Sequence, residues 1–406
     1  MPPDSDAALT RLPPLYLKRG EDARLRAGHL WVFSNEVDTK RSPLTAFAPG
    51  DACVIVDAGD RALGVGYVNP ASLISARLVA RGSAHALDRS LFVHRLNVAL
   101  ALRERLYAEP YYRLLYGESD GVPGLTLDRF DDVIVAQATT AGIERLKPEV
   151  EAAVQKVLKP RAMIWKNDAG IRVLENLPMY ADIAFGDLTA PVTVREGELR
   201  FELDVLGGQK TGWFYDQHAN RDRLVHYVAG RRVLDVFSYL GAWGLRAAAG
   251  GAREVLCVDA SQAALHRLDA AAAANGLAAR VRSAHGDAFD VLKGLRAARE
   301  RFDVVVVDPP AFVKRKKDIA QGRLAYRRIN MAAMQLLAPD GILVSCSCSH
   351  HLARGELLGA IQAGARELER QVQVLEVLQQ GPDHPIHPAI PETDYLKGYL
   401  CRVLPA

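Results

Sequence analysis

The sequence predicts an α/β protein in three parts: a β-rich unit, a small α+β unit, and a C-terminal parallel sheet covered by helices on both faces. Three observations predict it. In the C-terminal part, RVLDVFS, EVLCVDA, FDVVVVDPP and GILVSCS are apolar runs of strand length that alternate with helix-like segments, as strands buried on both faces do. Residues 14–80 instead carry short alternating stretches punctuated by glycine, such as DACVIVDAG and RALGVGYVN, with no long helical pattern. Between them the helical segment LDRSLFVHRLNVALALRERLYA leads into strand-like GLTLDRF and DVIVAQAT, a helix over 143–158, and strands at AMIWKN and IRVLEN. The expected boundaries are 14–84, 85–192 and 193–406.

The last two strand candidates, VQVLEVL and YLKGYLCRVL, lack an intervening helix and are joined by the proline-rich GPDHPIHPAIPETD. They are expected to form an antiparallel pair closing one edge of the sheet. AAAAAN at 270–275 reads as the end of an alanine-rich helix stopped by Asn275-Gly276. A length of 406 residues exceeds what one hydrophobic core usually supports. No apolar run approaches the roughly 18 residues a membrane helix needs, and MPPDSDAALTRLPPLYLKRG has no apolar core of an export signal. A cytoplasmic protein is expected. The five cysteines, Cys53, Cys257, Cys346, Cys348 and Cys401, are odd in number and have neither disulfide-framework nor zinc spacing, so free thiols and no metal are expected. The net charge of +3 does not announce a nucleic-acid binder. Such a role has to come from local clusters, either Lys18 and Arg19 with Arg24 and Arg26, or the run Lys314, Arg315, Lys316 and Lys317. An isolated charge run is more often a solvated surface.

Ligands of an open α/β sheet lie beyond the carboxyl ends of its strands. The first strand ends in LDVFSYLGAWG, which lacks the GxGxxG spacing of dinucleotide folds, while Gly241 and Gly244 allow a close-packed turn. Asp235, Asp259 and Asp287 fall at three successive strand ends. Each alone is a common helix cap or turn former. Together they suit an adenosyl ligand with a sulfonium and an ammonium better than a polyphosphate, which favours S-adenosylmethionine. Asp259 is placed for the ribose hydroxyls and Asp287 for the adenine edge.

GGQKTGWFYDQHANRDRL, VLDVFSYLGAWGL, VLCVDASQAAL, DVVVVDPPAFVKRKK, LVSCSCSHH and DHPIHPAIPETDYLKGYLCRV, in that order, resemble the S-adenosylmethionine-dependent ribosomal RNA large subunit methyltransferase I family, which makes 5-methylcytosine in 23S rRNA. HLWVFSNEV resembles the start of a PUA RNA-binding domain, and GESDGVPGLTLDRF extends the likeness through the middle unit. The resemblance implies a Rossmann-like class I methyltransferase sheet at 193–406 after a PUA domain and an α+β domain. It also implies cofactor contacts from Lys210, Tyr215, Asp216 and Gln217, joined by Asp235, Phe237, Gly241, Asp259, Asp287 and Asp308. The implied partner is large-subunit ribosomal RNA.

Asp308 precedes two prolines that remove backbone donors and hold a stiff turn, and Phe312 could stack on a base. DPPAF admits two reactions. It can accept hydrogen bonds from an exocyclic amine during amino methylation. Alternatively it can assist at N3 of a cytosine whose C6 is attacked by a thiolate, since C5 alone is a poor nucleophile. In the family pattern the nucleophile falls seven positions after the glycine opening the strand, here Gly341, which selects Cys348 and leaves Cys346 to pack or support. The second cysteine that many RNA cytosine C5 enzymes carry beside the proline of this motif is absent. Asp308, Cys346, His350 or water then remain as bases for product release. The rivals are an rRNA N-methyltransferase acting on guanine or adenine, a non-catalytic RNA-binding assembly factor and, least favoured, a small-molecule methyltransferase.

Overall fold

The computed structural model describes residues 12–82 and 86–405; the opening residues and the boundary expected at 84–85 lie outside them. The described residues divide into two compact units. The first runs to Val194 and takes in Leu203–Tyr215 and Pro382–Thr393, and the second holds Arg195–Glu202, Asp216–Gly381 and the chain from Asp394.

The first unit contains two sheets. Strands β1 (Pro14–Tyr16), β2 (Trp31–Phe33), β3 (Asp51–Val56), β4 (Ala62–Val68) and β5 (Ile74–Arg81), with the short helix α1 (Ala23–Arg26), form a sheet of order β1-β3-β4-β5-β2. Glycines permit its close approaches: a Cβ on Gly66 would lie 2.1 Å from the Arg77 carbonyl oxygen. Helix α2 (Arg89–Leu106), capped by the Asp88 side chain on the Leu91 N–H, leads into β6 (Tyr111–Tyr116), β7 (Leu125–Phe130) and β8 (Val133–Ala138). Helices α3 (Ala141–Arg145) and α4 (Lys147–Leu158) follow, then β9 (Ala162–Asn167) and β10 (Tyr180–Gly186), completing the order β10-β9-β8-β7-β6. The helix expected over 143–158 is thus broken at Leu146, just before Pro148.

IRVLEN is not a strand. Residues Gly170–Glu175 form a 3-10 helix ended by Asn176 at φ 56°. The fully buried Arg172 causes the departure, reaching inward to the Glu144 carboxylate at 2.9 Å and the Pro178 carbonyl at 2.9 Å. Its apolar neighbours Ile171, Val173 and Leu174 face outward.

Two segments expected in the C-terminal domain pack in this first unit. Buried Asp383 accepts the Arg113 N–H at 2.9 Å, and its carbonyl accepts Arg103 Nη2 at 2.8 Å. Tyr215 stacks on Phe130 with ring centroids 5.3 Å apart and donates to the Arg129 carbonyl at 2.7 Å. Long polar loops pack where their buried donors and acceptors find partners, and charge in a proline-rich loop does not reveal in advance where those partners lie.

After the hairpin β11 (Val192–Glu196) and β12 (Leu199–Leu203), the second unit is a seven-stranded sheet with helices α5 (His218–Leu224), α6 (Ala242–Ala249), α7 (Gln262–Ala274), α8 (Ala288–Ala297), α9 (Ile319–Leu336) and α10 (Arg354–Glu367). Strands β13 (Arg232–Val236), β14 (Glu254–Asp259), β15 (Val281–His285), β16 (Phe302–Val307) and β17 (Leu337–Ser347) are parallel, while β18 (Arg370–Gln379) and β19 (Lys397–Pro405) are antiparallel, in the order β15-β14-β13-β16-β17-β19-β18. The valines of β16 are fully buried, as burial on both faces requires. Strand β18 at the edge leaves Val374 and Val377 exposed. The order reverses at β13, so the crevice beyond β13 and β16 is where a ligand is expected.

Helix α6 packs its N-terminal turn against β13 and β14 through Gly244. A Cβ there would lie 2.4 Å from Cys257 Sγ and 3.2 Å from Asp235 Oδ2. Gly244→Ala is expected to lower stability by about 1–3 kcal/mol through overpacking, measured as a shift of the urea midpoint at unchanged slope.

Candidate functional site

The turn after β13 is built against ordinary backbone preference. Phe237, Tyr239 and Gly241 have φ of 66°, 49° and 78°, left-handed values that cost side-chain-bearing residues free energy and persist where the surroundings over-determine them. Two carboxylates hold it. Asp259 at the end of β14 accepts the Tyr239 N–H and the Ser261 N–H, each at 2.8 Å. Asp235, fully buried, accepts the Gly244 N–H at 2.9 Å, which ties β13 to the start of α6. Burial raises the Asp235 carboxyl to about 8, and the nearby Asp308 and Asp259 carboxylates push in the same direction. Gly241 is required twice over, by its φ and because a Cβ would lie 2.6 Å from Leu268 Cγ.

Asp287 lies just beyond β15, exposed, and caps α8 by accepting the Phe289 and Asp290 N–H groups at 2.9 and 3.3 Å. Lys210 and Tyr215 belong to the first unit, Asp216 and Gln217 to the second. The segment expected to supply these four cofactor contacts is therefore divided between the two units. Lys210 Nζ lies 4.3 Å over the Phe214 ring. Asp216 is buried and accepts the Tyr395 hydroxyl.

Asp308 follows β16 and is held by residues from two other elements. Its Oδ2 accepts Gln217 Nε2 at 3.0 Å and Trp243 Nε1 at 3.1 Å, and Asn220 Nδ2 fixes Gln217 through its Oε1 at 2.7 Å. Beneath this network Arg221 is buried and grips Glu196 at 2.6 and 2.5 Å. Desolvation opposes its charge, but Glu196, Asp216 and Asp308 together keep it protonated.

Strand β17 pairs in parallel with β16, Val307 opposite Ser345, so Cys346 and Cys348 leave the same sheet edge as Asp308. Cys346 is buried, and burial, followed by the Asp308 charge, pushes its thiol well up. Cys348 alone of the five cysteines is not buried. The SHH tail is anchored through Ser349, whose hydroxyl accepts the Val313 N–H at 3.1 Å and lies 2.9 Å from the Tyr326 hydroxyl. His350 stacks on Tyr395 with centroids 5.4 Å apart.

Phe312 sits in an aromatic cluster, 4.9 Å from Tyr326 and 6.4 Å from Phe237 between centroids, and lines a pocket of about 430 Å³ with Phe289 and Arg328. Lys314, Arg315, Lys316 and Lys317 are exposed beside it, with Arg315 drawn to Asp318 at 3.1 Å. The N-terminal cluster is less available. Arg24 is paired with Glu36 at 2.5 Å, Arg26 with Asp57 at 2.7 Å, and Lys18 donates to the Asn35 carbonyl at 2.7 Å; Arg19 is exposed. A cleft of about 1190 Å³ in the first unit, bordered by Arg95, Ser119 and His387, includes none of these residues.

Sequence reasoning missed Trp243, Asn220, Arg221 and Lys397. All four lie inside quoted motifs, but only the fold shows that an indole and an amide converge on one carboxylate oxygen. Lys397 is buried on β19 with Nζ donating to the Ser349 carbonyl at 2.6 Å. A lysine in an otherwise apolar strand run was its available signal.

A family model described as S-adenosylmethionine-dependent methyltransferase matches residues 177–401, and a PUA-like domain model matches residues 15–81. The chain is 36% identical over 400 residues to the ribosomal RNA large subunit methyltransferase I of Erwinia tasmaniensis, covering 96% of this chain and 99% of that protein. It is 37% identical over 396 residues to the protein of that name from Photobacterium profundum, with coverage of 96% and 99%. Among solved structures, SMU.776 complexed with SAH superposes with a TM-score of 0.83 at 20% identity, covering 96% of this chain and all of that one. A methyltransferase from Streptococcus mutans superposes with a TM-score of 0.81 at 19% identity, with the same coverage. The cofactor is S-adenosylmethionine, and the carboxylates of Asp259 and Asp308 suit its cationic sulfonium and ammonium, while Asp235, raised toward its neutral form, holds the Gly244 backbone. Asp259→Ala is expected to weaken its binding by roughly 1.5–3 kcal/mol, the loss of a charge-assisted hydrogen bond; unchanged affinity in titration calorimetry would remove Asp259 from the site. A PUA-like domain, a class I methyltransferase sheet and near-full-length identity converge on one assignment: the chain belongs to the ribosomal RNA large subunit methyltransferase I family.

Proposed function

We propose that the protein methylates C5 of a cytosine in large-subunit 23S ribosomal RNA through a covalent bond between Cys348 and C6 of the base. The observation that carries this reading is the placement of the one thiol that is not buried at the sheet edge where Asp308 is held by two donors. Bound S-adenosylmethionine supplies an electrophilic methyl carbon. The Cys348 thiolate forms the Sγ–C6 bond while N3 gains a proton with help from Asp308, which leaves C5 an enamine carbon able to take the methyl. Loss of the C5 proton to a base then lets the Sγ–C6 bond break and N3 give its proton back. Cys346, buried with its thiol pushed up, is a poor base for that proton; Asp308, His350 or water is better suited.

A target base in folded RNA has to leave its stack, at a cost of a few kcal/mol. Binding elsewhere offsets this, and phosphate contacts supply it without reading sequence. The exposed Lys314, Lys316 and Lys317 next to Phe312 are the proposed contacts nearest the site. Lys18 and Arg19 are proposed on the PUA-like domain.

Cys348→Ala is expected to abolish methyl transfer while retaining cofactor binding, and Cys346→Ala to keep substantial activity. RNA carrying 5-fluorocytidine at the target should form a covalent complex with the parent and not with Cys348→Ala. Near-parent activity of Cys348→Ala would sink the C5 mechanism and favour amino methylation through DPPAF, and no cofactor binding in calorimetry would favour an assembly factor.

Neutralising Lys314, Lys316 and Lys317 should weaken RNA binding and reduce the slope of log affinity against log salt by about one for each phosphate that no longer meets a lysine. Replacing Arg24 and Arg26 should change that slope little, because each is neutralised within its own domain. Salt titrations of RNA binding separate the two.

A further inference from the structure

Lys397 has no part in the reaction described above, yet it sits where burial of an ammonium needs a reason. Strand β19 lies between β17 and β18, and its register puts Lys397 opposite Ser347. From there the side chain reaches the carbonyl of Ser349, donating at 2.6 Å. It therefore starts level with the residue before Cys348 and ends on the residue after it. Its hydrogen-bond partner is a neutral carbonyl, so that bond leaves the positive charge uncancelled.

We propose that Lys397 is a positioning residue for the Cys348 nucleophile: its buried ammonium, fixed on the Ser349 carbonyl, stabilises the thiolate form of the neighbouring sulfur. The proposal rests on the reading of Cys348 as the nucleophile. A thiol attacks as its anion, and an ordinary cysteine is mostly protonated at neutral pH. An opposite charge within a few ångströms favours the anion by about 1–3 pKa units.

Two titratable neighbours of this sulfur leave the positive charge to Lys397. Cys346, on β17 two residues before it, and Tyr326, from α9, are both pushed up by burial and stay neutral, so neither supplies positive charge. Tyr326 is occupied with the hydroxyls of Ser347 and Ser349. Desolvation lowers Lys397 to about 8, while Asp394, Cys348 and Glu356 support its charge and Arg354 opposes it. The interaction is mutual, since a cysteine anion that favours the ammonium is favoured by it in equal measure. The sign follows. Lys397 carries its proton below about pH 8, so the help to Cys348 is present at neutral pH and fades as the ammonium titrates.

The test is the pH profile of Cys348 alkylation by iodoacetamide in the full-length protein without RNA, read by mass spectrometry of the Cys348 peptide. The parent midpoint should fall clearly below the ordinary thiol value of about 8.5. Lys397→Met should raise it by about one unit, a roughly tenfold loss of alkylation rate at pH 7, and lower kcat more than it changes KM, while Lys397→Arg restores most of the shift. Superimposable parent and Lys397→Met profiles overturn the proposal. If Lys397→Met does not fold, the parent decides alone, because a midpoint at or above about 8.5 also overturns it. The readout is independent of turnover. Methyl transfer surviving in Cys348→Ala would defeat the nucleophile reading while the alkylation profile still reported the coupling of Lys397 to the sulfur.

Discussion

Negative charge has to be held inside a dry sheet edge, and the methyltransferase unit is arranged around that constraint. Asp216, Asp235 and Glu196 are all but inaccessible to water, and an uncompensated carboxylate in such surroundings would protonate or unfold the site. The three sites resolve this differently. Arg221 is buried among the acids with its guanidinium gripping Glu196. Asp308 is hydrogen-bonded by neutral donors. Asp235 yields and shifts toward its neutral form. The strained turn after β13 follows from the same arrangement, because the Asp259 carboxylate at the end of β14 holds the Tyr239 backbone.

The fold was legible because strands buried on both faces write themselves as unbroken apolar runs. RVLDVFS, EVLCVDA, FDVVVVDPP and GILVSCS each became a strand of the parallel sheet, and VQVLEVL with YLKGYLCRVL became the antiparallel pair at its edge. The failures share a cause. IRVLEN has a strand's composition, but the buried Arg172 commands the local backbone. Lys210-to-Gln217 reads as one segment, yet a long-range contact of Tyr215 with Phe130 divides it. Arg24 and Arg26 read as unpaired cations, yet the fold brings Glu36 and Asp57 to them. In each case a polar partner distant in sequence decides the outcome, and residue spacing carries no record of such partners.

Residues of the site follow the same division. Asp259, Asp308 and Cys348 were visible because strand ends are visible. Trp243 and Lys397 were not, because they lie on a helix and an antiparallel strand whose approach is a property of topology. Placing β19 beside β17 carries a C-terminal lysine to within reach of a loop about fifty positions earlier in the sequence.

The distribution of sulfur has a consequence for how the protein ages under oxidants. Peroxide attacks thiols according to exposure and anionic character. Cys53, Cys257, Cys346 and Cys401 are buried, which leaves Cys348 as the sulfur that oxidants reach first. Cys346, two residues away, is walled in by Gly398, where even a methyl group would come within 3.0 Å of its Sγ. It is poorly placed to trap a sulfenic acid as a disulfide, so damage at Cys348 would proceed toward the irreversible acids or depend on an outside thiol for repair. Oxidative stress would then silence the proposed reaction at one atom while leaving the fold and the cofactor site in place.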